Sequence, residues 1–152
     1  MSKVEFKVII NSGLDSQKEL DEFGFIEFYE DLVEKDYGLL RLLNFTAYCG
    51  EEVIHNIEVS NLYYLAHRAD ELDDKHEAYL SNLGSSFNGG DLFDQVNDDY
   101  VGEFDTAYDF ITEHIGIEIP DCLKNHISYS RVFEAEFSDS YFRVNGHYFH
   151  NS

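Results

Sequence analysis

An α+β fold, drawn out as three small units in series, is what this sequence predicts. Apolar residues alternate, or cluster as β-branched and aromatic runs, at both ends of the chain, but recur at three and four residues in between. Hydrophobic residues make up 43% and aromatics 16% of the 152, ample material for a core despite a net charge of -21. Asn145-Gly146, set among alternating residues, is the strongest short hairpin signal in the chain. The expected division is an α+β unit over 1–59, a helical middle unit over 60–102, and an α+β unit over 103–152 that ends in antiparallel strands.

In order along the chain, residues 4–10 (VEFKVII) alternate and then turn fully apolar, which predicts a strand leading into the turn chemistry of NSGLDS. QKELDEFGF fits a short helix stopped by Gly24, and FIEFYEDLVEKDYG a strand followed by a helix that Gly38 ends. LLNFTAYCGEEVIHNIEV reads as one strand or a hairpin around its internal glycine. From Ser60, a candidate cap, Leu62, Leu65, Ala69 and Leu72 set a helical period that HEAYLSNLG carries on to Gly84. SSFNGG is then a loop and DLFDQVNDDYVG a short helical turn. Asp105 is placed to cap TAYDFITEHIG, which stacks Ala107, Phe110, Ile111 and Ile115 on one side before Gly116 and the lone Pro120 close it. After a short turn at DCLKNHI, SRVFEAEFSDSYFRVNGHYFHNS reads as two alternating segments joined near SDS and a third after Asn145-Gly146.

The charge is distributed unevenly. Acids number 31 against 10 bases, and between Lys75 and Lys124 there is no Lys or Arg at all. The window 89–121 nevertheless carries ten carboxylates, threaded with Leu92, Phe93, Val96, Tyr100 and Phe104, so it is a core-forming segment and not an acidic tail. Such an excess repels nucleic acid and anionic membranes and points to a basic partner or a metal cation. Helical spacing would align Asp105, Asp109 and Glu113 in one row, Asp91, Asp94 and Asp98 in a second, and Glu27, Glu30, Asp31 and Glu34 in a third with only Lys35 near it. Two unit charges about 6 Å apart repel by roughly 0.7 kcal/mol in water, so several rows cost a few kcal/mol of stability. A duplex carries one charge per roughly 1.7 Å of axis, on a rigid surface that proteins meet with Lys and Arg. Rows on packed helices approximate that pattern, which makes these acids, with Asp99 and Glu103, candidate contacts to the basic groove of a DNA-binding protein. The plainer reading is an acidic surface kept for solubility.

Other constellations fail on spacing. NDDYVGEFDTAY places Asn97, Asp99 and Gly102 at calcium-loop positions, but Val101 and Tyr108 stand where ligands are needed, the second in place of the bidentate Glu. His147 and His150, three apart on an expected strand, point to opposite faces. GSSFNGG lacks the Lys-Ser/Thr ending of a phosphate loop. No catalytic, cofactor-binding or metal-ligating residue is expected, and a small acidic hydrolase using a carboxylate pair is the alternative from another class. Cys49 and Cys122 form neither a disulfide framework nor a zinc pattern and both read as buried small hydrophobes in a reducing cytoplasm. No apolar run approaches the roughly 18 residues of a membrane span. The dense aromatics at the end, among them Phe133, Phe137, Phe142 and Tyr148, are expected at a homodimer interface beside an open strand edge.

The helix YDFITEHIG followed by IPDCLKNHISY resembles the C-terminal part of the ArdA family of antirestriction proteins, the matching positions being Ile119, Pro120, Leu123, Asn125, Ile127 and Tyr129. GFIEFYEDLVEK looks like that family's N-terminal strand and acidic helix, and NIEVSNLYYLAHRADEL like the start of its helical middle. In place of the family's Gly-Arg-Asp stretch and N-terminal Phe-Pro, this chain has SRVFEAEF and FIEFYED. The resemblance implies an elongated, three-domain, dimeric mimic of bent DNA that binds the DNA groove of type I restriction-modification enzymes without catalysis. A neighbouring reading on the same physics is an inhibitor of another DNA-binding defence system, such as a CRISPR effector.

Overall fold

A computed structural model describes residues 4–11, 17–54, 57–83 and 92–151. Within them the α+β expectation is met, with helices and two antiparallel sheets arranged in two compact units, Met1–Val96 and Asn97–Ser152.

In the first unit, strand β1 (Phe6–Asn11) alternates as its sequence requires, burying Phe6, Val8 and Ile10. It is flanked by β2 (Gln17–Leu20) and β3 (Asn44–Cys49), and β4 (Glu52–Ile54) closes a four-stranded sheet of order β2-β1-β3-β4. QKEL is thus a strand and not the start of a helix, because it finds β1 as a partner. The helix begins instead at Asp21, whose carboxylate accepts from the Gly24 N–H at 2.8 Å, and α1 (Glu22–Lys35) runs straight through Gly24 and through the expected strand at FIEF. Asp36 ends α1 and caps α2 (Tyr37–Leu42), which carries Gly38 inside it where a stop was expected.

The β3–β4 connection is a hairpin turned at Gly50, φ +62°. Helix α3 (Val59–His67) starts from Glu58, with no side-chain cap, so Ser60 is not the cap. Its Leu62 and Leu65 are buried, as are Ala69 in the short turn Ala69–Glu71 and Leu72 beyond it, in agreement with the helical period. The Tyr63 ring stacks on Tyr29 of α1 at 4.3 Å, so the helices expected to form their own unit from residue 60 share the first sheet's unit. Helix α4 (Asp74–Leu83) buries His76, Ala78, Tyr79 and Leu80, and α5 (Leu92–Asp99) buries Leu92, Phe93 and Val96. Gly84 and the SSFNGG loop lie outside the described residues.

In the second unit the chain leaves helix at Tyr100, where helix was expected to residue 102, and forms β5 (Tyr100–Glu103) with a bulge at Val101, between Tyr100 and Gly102. Thr106, one residue beyond the expected Asp105, is the cap: its hydroxyl accepts from the Asp109 N–H at 3.2 Å. Helix α6 (Ala107–Asp109) then widens into a π-helical turn over Phe110–Ile115, ended by Gly116 at φ +85°. The Thr112 hydroxyl donates to the Tyr108 carbonyl at 2.9 Å, competing for the oxygen an α-helix gives to the Thr112 N–H.

After α7 (Asp121–Lys124), SRVFEAEF is helical and not a strand: α8 (Tyr129–Val132) passes into a second π-helical turn, Phe133–Phe137. Strands β6 (Tyr141–Val144) and β7 (His147–His150) pair across Asn145-Gly146, both at positive φ, and complete a sheet of order β5-β7-β6. Ala107, Phe110, Ile111, Phe133 and Tyr148 form the core of this unit. Phe110 stacks on Tyr148 at 4.6 Å and meets Phe133 edge-on at 5.5 Å.

Candidate partner-binding surface

The carboxylates of α1 are the best-ordered row. Glu27, Glu30, Asp31 and Glu34 are all exposed, and at three- and four-residue intervals they share one side of the helix, opposite buried Phe25. Over the seven steps from Glu27 to Glu34 a helix rises about 10 Å, so the four carboxylates follow one another in axial steps of about 4.5, 1.5 and 4.5 Å, a mean of about 3.5 Å against about 3.4 Å per charge along one DNA strand. Two of them have local partners. Asp31 pairs with Lys35 at 2.9 Å, and Glu30 accepts from the Tyr63 hydroxyl at 2.5 Å, a bond that pushes the Tyr63 pKa up to about 12. Phe23, four residues before Glu27, lies on the same stripe and is 72% exposed.

The second row is shorter than expected. Asp91 lies outside the described residues. On α5, Asp94 and Asp98 are exposed at a four-residue interval on the side opposite Leu92 and Val96, while Asp99 is half-buried at the helix end. The third row does not form as a helical line. Asp105 precedes the Thr106 cap and so lies outside the helix, leaving Asp109 and Glu113, about one turn apart, as what remains of the row. Asp105 and Glu113 are exposed and Asp109 is half-buried. Glu103 lies 3.5 Å from the His147 ring at the β5–β7 pair.

Among the described residues, Lys7, Arg68 and Arg143 are engaged outside these rows. Lys7 reaches Glu19 at 3.6 Å and lies over the Tyr48 ring, and Arg143 reaches Glu134 at 3.6 Å and covers the Phe133 ring. Arg68 grips both oxygens of Glu71, holding that carboxyl below the usual range, and stacks on Phe93. Packing residues sequence reasoning missed include this Arg68–Phe93 contact and the Tyr29–Tyr63 stack, which unite helices far apart in the chain and leave no local signal.

Two of the aromatics expected at a homodimer interface are core instead: Phe133 and Tyr148 are each 2% exposed, covered by their own unit. Phe137 packs against that core, and half-buried Phe142 stacks on Phe149 at 4.9 Å. A cleft of about 460 Å³ is lined by Asp105, Thr106, Ala107, Ser130, Arg143, Asn145, Gly146 and Tyr148. Asp105 is its one carboxylate among those residues, where hydrolysis by a carboxylate pair calls for two. Among the described residues no group of three or more His, Cys, Asp or Glu is arranged to hold a metal ion, and no helix is long and apolar enough to cross a membrane.

Compared with protein-family models, curated proteins and solved structures, the chain has no match in any of the three.

Proposed function

We propose that this chain is a DNA mimic that inhibits type I restriction-modification enzymes by occupying their basic DNA-binding groove, acting by binding and without catalysis. The observation that carries the reading is the α1 row, in which four exposed carboxylates share one side of about 10 Å of helix fixed by its Asp21 cap, a mean axial charge density close to that of one DNA strand. The base-free stretch between Lys75 and Lys124 and the resemblance to ArdA proteins at Ile119, Pro120, Leu123, Asn125, Ile127 and Tyr129 support it. Binding energy would come from counterion release and from charge complementarity spread over many contacts.

The proposal includes a homodimer. Its contact is built not from Phe133 and Tyr148 but from the outer edge of β6, an end strand of its sheet, beside Phe142. Light scattering at micromolar concentration should give twice the chain mass, and a monomer mass removes this part.

The deciding experiment titrates the chain into a purified type I methyltransferase at low salt with duplex DNA as competitor. Mutually exclusive binding that weakens as salt rises is the expected result. Absence of binding at low salt overturns the reading, and binding to a CRISPR effector in its place would change the target but not the physics.

A further inference from the structure

The α1–α3 face of the first unit leaves aromatic rings in water beside its carboxylates. Tyr64 of α3 is 68% exposed, and Tyr37, at the start of α2 just beyond α1, is 55% exposed, far more than packing of the unit requires. Tyr64 meets Tyr63 at 6.0 Å and 60°, and Tyr63 in turn stacks on Tyr29 at 4.3 Å, so the exposed ring is backed by a fixed aromatic pair. The Tyr63 hydroxyl donates to Glu30 at 2.5 Å. That bond holds the Glu30 carboxylate at the edge of the rings while occupying one of its roughly four acceptor sites.

Carboxylates alone attract any cation. Exposed rings discriminate, because a guanidinium is planar and weakly hydrated and lies flat on an aromatic face, whereas an ammonium keeps its water. We propose that this face is an arginine-selective site: the guanidinium of a basic partner stacks on Tyr64 and donates to Glu30, with Glu27 and Glu34 on the same helix stripe supplying the surrounding field. The occupant follows from charge complementarity, since a chain of net charge -21 selects a cationic partner and the rings select among cations. The inference rests on the reading of the partner as a basic groove and adds that arginine, and not lysine, is its anchor on α1–α3.

The test uses the full chain and isothermal titration at low salt with polyarginine and polylysine peptides of equal length. Polyarginine should bind about three- to fivefold more tightly. Tyr64→Phe, which keeps the ring, should retain that preference, and Tyr64→Leu should bring the ratio close to unity with polylysine affinity unchanged. Because Tyr64 is exposed, neither variant disturbs the core. Equal affinities in the native chain, or a preference that survives Tyr64→Leu, overturn the arginine site and leave the basic-groove reading standing. Failure of both peptides to bind overturns both.

Discussion

The Glu77 carboxylate of α4 sits directly against Gly50 at the β3–β4 turn, accepting the Glu51 N–H at 2.7 Å. A Cβ on Gly50 would overlap that carboxylate, and the φ of +62° already disfavours any side chain. Gly50→Ala should therefore lower stability by about 1–3 kcal/mol, a fall in melting temperature of roughly 2–4 °C per kcal/mol for a chain of this size. Glu77→Ala alone should cost about 0.5–1.5 kcal/mol through the lost bond. Combined, the two should cost less than their sum, because removing Glu77 makes room for the new methyl. A strictly additive double-mutant cycle, measured by urea denaturation, would show that the carboxylate and the glycine do not share space.

Buried His76 predicts a pH limit. Burial holds its imidazole below the ordinary histidine value, against the pull of the Asp73 carboxylate 3.1 Å away, and its Nδ1 also accepts the Asp73 N–H. A folded-state pKa below the unfolded one means that the unfolded chain takes up the proton first. The stability His76 contributes is thus fully present above about pH 6.5 and is lost as pH falls below it. Urea midpoints should drop between pH 7.5 and pH 5.5 by more in the native chain than in a His76→Gln variant. Equal drops in the two would remove His76 as the cause.

The two thiols should separate cleanly. Cys49 is fully buried, with its pKa pushed up to about 12 by burial and by nearby Glu77, Asp73 and Glu52, whereas Cys122, expected to be buried as well, is exposed on the short helix α7. Alkylation at pH 8 followed by peptide mass spectrometry should label Cys122 in the folded chain and Cys49 only after denaturation. Prompt labelling of Cys49 would mean that the β3–β4 edge opens readily.

Elements whose signal is local were legible in the sequence; those decided by a partner were not. Asn145-Gly146 turns a hairpin because both residues tolerate positive φ, a property of the residues themselves. SRVFEAEF misleads because Phe133 and Phe137, four apart, fall on one side of a strand and also on one side of a helix. FIEF misleads for a different reason, its aromatic and β-branched residues, until the Asp21 carboxylate is seen to reach the Gly24 N–H and start the helix upstream of it. Among the acid rows, the α1 row was readable from spacing because the helix is regular there. The Asp105, Asp109 and Glu113 row was not, since the cap falls one residue on, at Thr106, and leaves Asp105 outside the helix.

The α1 row also predicts an exchange of stability for binding. Glu27 and Glu34 flank Glu30 and Asp31 on one exposed stripe, each about 5–6 Å from its neighbours, where unit charges repel by roughly 0.7 kcal/mol per pair in water. Neutralising both in Glu27→Gln/Glu34→Gln removes most of that repulsion and leaves the Tyr63–Glu30 bond and the Lys35–Asp31 pair in place. At low ionic strength the double variant should be more stable than the native chain by about 0.5–1.5 kcal/mol, an advantage that shrinks toward zero near 1 M salt, where the screening length is about 3 Å. Affinity for a basic partner should fall in the same variant, and its dependence on salt should become shallower because fewer counterions are released. An acidic surface kept only for solubility gives the first change without the second. Thermal melts across a salt series, run beside binding titrations of the same two proteins, therefore distinguish a row maintained against its own repulsion for a partner from one that is merely exposed.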